Sequence, residues 1–285
     1  MELIDLSAHI GTEVRGVDLS QPLSDEDFAR LRQTWLDRSL LLFRGQTLQP
    51  DDLVAFSKRF GELEEPPASE RSERDDAGMT GRPEVWLISN VVENGKPIGS
   101  LGAGEAEWHT DMSYIDTPPT ASVLYAREIP PAGGNTSFAS MYAAWSEMPS
   151  PMKGQVEGRT AHHDSSYTSA GELRKGAAEV TDVRAAPGAS HPIGRRVPDT
   201  DRRALFLGRR TNGYIEGLDV AESEKLLDDL WAFCTRPDFV YEHVWQVGDL
   251  LIWDNRSAIH RREAFDNSAR RIMMRTQVRG ERPVV

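Results

Sequence analysis

Residues 270–278 read RRIMMRTQV. Alternate residues of an extended strand point to opposite faces. Arg271, Met273, Arg275 and Gln277 therefore share one face, and Ile272, Met274, Thr276 and Val278 share the other. The second face is apolar and is expected to pack outward beneath helices. The first carries two guanidiniums four residues apart, roughly 13 Å along a strand. Other short apolar runs, separated by turn residues, extend the pattern: VWLISNVV (85–92), ASVLYARE (121–128), LFLGR (205–209), VYEHVWQ (240–246) and DLLIWDN (249–255). Turn signals stand at Pro131-Ala-Gly-Gly-Asn135 and at Gly248-Asp249. The chain is predicted to be mainly β with flanking helices, a β-sandwich or jelly-roll barrel with the helices outside.

The helical layer is expected near the N-terminus. Ser24 is a helix N-cap, with Asp25, Glu26 and Asp27 in the first turn, where the helix dipole favours acids. Phe28, Leu31, Trp35 and Leu36 form its apolar stripe, and SLLLFRG (39–45) then reads as a short buried strand. A second helix starts at about Pro50 and stops at Gly61, with Leu53, Phe56 and Phe60 on one side. A third starts near Ala221 and closes before Pro237. No internal repeat or clean domain boundary is visible, so residues 1–285 read as a single domain. Two segments interrupt it: a polar, Pro- and Gly-containing loop at 64–82, expected to be a lid, and a Gly-, Ser- and Ala-rich insertion at about 150–200 between barrel strands.

Composition narrows the function. Hydrophobic residues make up 39% and charged residues 27%, ordinary for a folded globular protein. The formal net charge of −12 argues against a nucleic-acid partner, because phosphate binding needs a basic surface. Basic clusters at 195–203 and 208–210 read as solvated faces. No apolar run approaches the roughly 20 residues of a membrane span. MELIDLSAHIGTEV has neither the basic start nor the apolar run of a signal peptide, and Cys234 is the sole cysteine. These features imply a cytoplasmic protein acting on a small molecule, with a homo-oligomer (dimer or tetramer) expected.

EAEWHTDMSYIDTPP (105–119) contains the pair His109-x-Asp111, a common pattern on its own, in which two residues of an extended segment reach one side. His260 follows the apolar run DLLIWDN and adds a second imidazole. Two histidines and one carboxylate, with three positions left open, form the facial triad of non-haem iron(II) oxygenases. A 2-oxo acid can occupy two open positions and dioxygen the third. The far carboxylate of such a co-substrate needs a partner, and arginine suits a carboxylate bidentately. Arg271 and Arg275 are candidates, and the hydroxyl of Thr136 is a further donor.

These stretches resemble the taurine dioxygenase family, which also includes aryloxyalkanoate-degrading oxygenases and alkylsulfatases. RGVDLSQPLSDEDF, LLLFRGQTL, FSKRFGELE, the run from Trp108 to Trp145, GDLLIWDNRSAIHRR and RRIMMRTQVRG carry the likeness nearly end to end. The resemblance implies a double-stranded β-helix (jelly-roll) core and an Fe(II)-, 2-oxoglutarate- and O2-dependent oxygenase. It matches His109, Asp111 and His260 to the iron ligands, Thr136 and Arg271 to the 2-oxoglutarate contacts, and Arg275 to an arginine beside an anionic substrate. Two departures argue against taurine: no histidine follows FGELE, and Glu105 stands where the taurine-acting members have asparagine. Glu105, Met112 and Tyr214 are taken as substrate contacts together with Arg275.

A reading from another class is a metal-binding jelly-roll protein without oxygenase activity, an isomerase or a binding module. Succinate formation from 2-oxoglutarate separates the two. Other conspicuous residues are assigned to structure: His162 and His163 face opposite ways in a strand, and Cys234 sits in an apolar helical stretch. Trp108 and Tyr114 are candidate pocket walls, and Tyr167 a candidate substrate contact.

Overall fold

The computed structural model describes residues 1–65 and 80–285. The loop read as a lid, 64–82, lies outside the described residues except at its ends. Ser24 caps the Asp25–Arg38 helix, its Oγ accepting from the Asp27 N–H at 3.1 Å, and Leu31, Trp35 and Leu36 are buried. The Pro50–Lys58 helix starts on proline, with Asp52 Oδ2 accepting from Gln49 N–H at 2.8 Å, and buries Leu53 and Phe56. Phe60 stands edge-on to Phe28, Trp35 and Phe56, joining the two helices.

Both helices cover one face of an eight-stranded sheet. Its order is Glu2–Asp5, Thr12–Arg15, Leu40–Phe43, Leu250–Asp254, Ala121–Glu128, Ile272–Val278, Trp86–Ser89 and Ser100–Leu101. The alternation is realised over residues 272–278, and Arg271 stands just before the strand. Ile272, Met274 and Val278 join the helices' core together with Leu41, Phe43 and Ile252, whereas Met273 points to the opposite side. Beneath that side lies a four-stranded antiparallel sheet: Val240–His243, Thr136–Ser140, Ala258–Arg262 and Ala106–His109. Leu40, Leu42, Leu124 and Trp253 of the large sheet meet Phe138 and Ala258 of the small one in a single apolar cluster. Two stacked sheets with helices outside give the mainly β architecture expected. Among the described residues no helix is long and apolar enough to cross a membrane.

The segment read as a Gly- and Ser-rich insertion is more ordered than its composition suggests. It holds the Ser150–Val156 helix, strands Thr160–Asp164 and Gly188–Pro192 paired antiparallel, and strand Gly194–Val197 paired with Arg202–Leu205. These elements, the Met141–Ser146 helix and the Val220–Cys234 helix build a second core on the outer face of the small sheet, around Trp145, Ile193, Leu205, Leu230, Cys234 and Ile259. Glycine is required at 194, where an added Cβ would lie 2.2 Å from the Trp145 ring. The run LFLGR is not a strand beyond Leu205: Leu207 and Gly208 turn their carbonyls to Thr110 instead. The basic stretch at 195–203 is not all solvated either, because Arg195 is buried with its guanidinium over the Phe206 ring.

Candidate metal centre

The Ala106–His109 strand runs along the edge of the small sheet, where His109 pairs directly with His260 of the Ala258–Arg262 strand. The two rings lie 4.2 Å apart between centroids. The strand ends at His109, so strand alternation does not aim Asp111, as the sequence suggested; a turn with Met112 at φ 47° follows instead. The aim comes from Asn255, 144 residues away, whose Oδ1 accepts from the Asp111 N–H at 2.9 Å and whose Nδ2 donates to Asp111 O at 3.0 Å. The same Nδ2 donates to Pro119 O at 2.9 Å, so one buried amide fixes both ends of the turn.

One ligand atom from each of His109, Asp111 and His260 lies within 4.8 Å of the others, and all three residues are buried. Asp111 Oδ1 is 3.6 Å from His109 Nε2 and 3.8 Å from His260 Nε2. Asp111 Oδ2 is engaged elsewhere: it sits 2.5 Å from Arg275 Nη2 and accepts from Ser122 Oγ at 2.7 Å. His109 Nδ1 lies 2.6 Å from the Glu107 carbonyl. That contact needs a proton on Nδ1, which leaves the Nε2 lone pair facing Asp111. Burial alone would raise the Asp111 carboxyl, yet Arg275, then His260 and His109, hold it well below the usual carboxylate range. Burial, with His109 and Arg275 outweighing the pull of Asp111, pushes His260 down to about 3. At neutral pH the cluster thus offers a neutral imidazole at His260 and an anionic oxygen at Asp111, the donor set that suits a divalent iron.

A cavity of ≈60 Å³ opens between the two sheets beside His109 and His260. Ile88, Leu124 and Trp253 form an apolar wall, and Ala106, Ser169 and Ala170 close the side toward the surface. Thr136, Arg262 and Arg271 also line it, and so does Arg275. The sheet register explains the grouping. Thr136 pairs with Arg262 and Phe138 with His260, so alternate residues of two neighbouring strands project together.

Arg271 is 2% exposed, its Nε has no hydrogen-bond partner among the described residues, and no carboxylate there pairs with it. Burial and neighbouring Arg262 push it down to about 9. A buried cation left in this condition is costly unless a counter-charge arrives. The cavity wall is the place from which an anion could reach it. The Thr136 hydroxyl stands on the same wall and accepts from Trp245 Nε1 at 3.0 Å.

Six of the residues singled out from sequence are therefore assembled here: His109, Asp111, Thr136, His260, Arg271 and Arg275. Four proposed substrate contacts are not: Glu105, Met112, Tyr214 and Tyr167. Glu105 is exposed, one residue before cavity-lining Ala106. Met112 is half-buried in its left-handed turn and does not line the cavity. Tyr214 lies opposite His162 in a separate sheet, where its hydroxyl donates to Leu218 O at 2.7 Å. Trp108 packs against the second core with Arg261 over its ring, and Tyr114 lies under Arg174. Tyr167 gives its carbonyl to Arg174 and Arg209, and only its neighbours Ser169 and Ala170 reach the cavity. Sequence reading missed Asn255, Ser122 and Arg262; the polar pair Asn255-Arg256 ending an apolar strand was the available signal for the first.

The family model described as taurine catabolism dioxygenase TauD, TfdA family matches residues 2–277. The alpha-ketoglutarate-dependent 2,4-dichlorophenoxyacetate dioxygenase of Cupriavidus pinatubonensis is 33% identical over 273 residues, covering 92% of each chain. An alpha-ketoglutarate-dependent sulfate ester dioxygenase of Pseudomonas putida is 28% identical, over 100% of this chain and 91% of its own. Among solved structures, a taurine dioxygenase from Burkholderia xenovorans superposes with a TM-score of 0.79 at 31% identity, covering 99% of this chain and 90% of its own.

Proposed function

The chain belongs to the taurine catabolism dioxygenase TauD, TfdA family as an iron(II)- and 2-oxoglutarate-dependent dioxygenase, and from that premise we propose how its residues divide the work. His109, Asp111 and His260 hold the iron, Thr136 and Arg271 hold the distal carboxylate of 2-oxoglutarate, and Arg275 meets the substrate. Iron bound there supplies oxygen activation, coupling decarboxylation of 2-oxoglutarate to succinate and CO2 with hydroxylation of a substrate C–H bond. The observation that carries the assignment is the unpaired, buried Arg271 guanidinium on the same cavity as the histidine–carboxylate cluster. The named relatives are dioxygenases, which favours this reading over an isomerase or binding module.

The chain's own groups orient each participant. Arg275 and Ser122 keep Asp111 anionic and turn one oxygen toward the histidines. The Glu107 carbonyl keeps the His109 Nε2 lone pair toward the metal. Ile88, Leu124 and Trp253 exclude water, so charges inside the cavity interact strongly. The substrate is read as a small organic anion, supported by Arg275 on the cavity wall and by relatives named for a phenoxyacetate and for sulfate esters. The test is succinate formation from 2-oxoglutarate with iron(II), oxygen and a panel of aryloxyacetates, alkyl sulfates, sulfonates and amino acids. An anionic member of the panel should stimulate succinate release. Stimulation by uncharged analogues alone would overturn the substrate class.

A further inference from the structure

Behind the cavity wall, one side chain determines what Thr136 can do. Trp245 does not line the cavity. Its indole Nε1 donates to Thr136 Oγ1 at 3.0 Å, with both residues buried. An indole N–H only donates, whereas a threonine hydroxyl has one proton and two acceptor lone pairs. This bond therefore fills an acceptor site on Thr136 and leaves the proton to find a partner. Among the described residues nothing accepts that proton, although Thr136 is 3% exposed. Without the indole, the hydroxyl would lose the bond that fixes its rotation, and its proton would no longer be held in one direction.

The position of Trp245 is itself over-determined. Its ring stands edge-on to His243 at 4.6 Å, and His243 is the cross-strand partner of Thr136. His243 Nε2 lies 3.0 Å from Asp249 Oδ2, an oxygen that also accepts from Arg44 Nη1 at 2.8 Å and from Gln246 N at 2.9 Å. One buried carboxylate thus fastens the chain on both sides of Trp245.

We propose that Trp245 is a positioning residue for co-substrate binding, holding the Thr136 hydroxyl in the sense that donates to the distal carboxylate of 2-oxoglutarate. The proposal rests on the reading of Thr136 and Arg271 as that carboxylate's contacts. A donor that is itself hydrogen-bonded is polarised and donates more strongly.

The test is the equilibrium affinity for 2-oxoglutarate of the Mn(II)-loaded protein, measured by calorimetry without turnover. Trp245→Phe should weaken binding about three- to tenfold, the worth of one neutral hydrogen bond. The same loss should appear in a Thr136→Ser background and vanish in a Thr136→Val background. Trp245→benzothienylalanine, in which sulfur replaces N–H at constant shape, should match Trp245→Phe, which separates the hydrogen bond from any packing defect. Wild-type affinity in the benzothienylalanine protein, or an equal loss in the Thr136→Val background, would overturn the proposal. Undiminished affinity in Thr136→Val alone would instead overturn the co-substrate reading beneath it.

Discussion

Arg275 lies within the Ile272–Val278 strand and Arg271 immediately before it; both reach the same cavity, yet their circumstances differ. Arg275 is neutralised within the protein by Asp111 at 2.5 Å and donates to the hydroxyl of Ser122 at 3.2 Å. Arg271, more deeply buried, lines the same cavity and has no carboxylate partner among the described residues. The first guanidinium contributes to holding the folded protein together. The second is a stability cost retained for something that binds. Identical side chains four residues apart thus stand in different surroundings, and the positions of their neighbours distinguish them.

That contrast can be broken most violently at Asp111. Asp111→Ala removes the sole carboxylate of the triad and should abolish both iron binding and succinate formation, as read by iron titration and product assay. Retained iron affinity would show that Arg275 is balanced against something other than a metal ligand.

Exchanging the arginines for methionine comes next. Arg275→Met leaves a buried carboxylate without its cation, so the metal-free protein should lose about 3–5 kcal/mol in denaturant unfolding. It should also raise KM for the prime substrate and weaken iron binding, because Asp111 loses the cation that orients it. Arg271→Met removes a cation with no carboxylate partner among the described residues, so stability should stay level or rise while KM for 2-oxoglutarate increases roughly 10- to 150-fold. Equal stability losses in the two proteins would erase the distinction between them. The smallest effect is expected at Tyr214→Phe, which deletes one turn hydrogen bond. It should cost about 1 kcal/mol and leave both KM values unchanged. A raised substrate KM in that variant would return Tyr214 to the site.

What could be read beforehand was what the chain encodes locally. Ser24 and the acids after it mark a helix start by their own hydrogen bonding, and the period of residues 271–278 marks a strand with one apolar face. The metal and co-substrate candidates were legible because histidine, aspartate and arginine announce their chemistry by type. Interactions across long separations were not. The Thr160–Asp164 and Gly188–Pro192 strands are short and rich in Gly, Ser and His, and become strands through pairing that composition does not record. Asn255 aims Asp111 across 144 residues. Arg195 read as part of a solvated face and Arg262 drew no reading, yet here an aromatic face receives the first and two glycine carbonyls the second. The reading of 64–82 as a lid falls mostly outside the described residues.

The bend after Leu205 has a consequence for how this protein can be diversified. At Gly208 an added Cβ would lie 2.3 Å from His163 Nδ1 and 2.4 Å from Ser113 Oγ, both on buried residues next to the turn that carries Asp111. Even alanine there pushes against the scaffold of the active centre, so a library of variants should return glycine at 208 almost without exception. Ile88, Ser169 and Ala170 line the cavity itself. Selection for a new substrate has room to move at those three positions, and the backbone at 208 is the fixed point against which it would move.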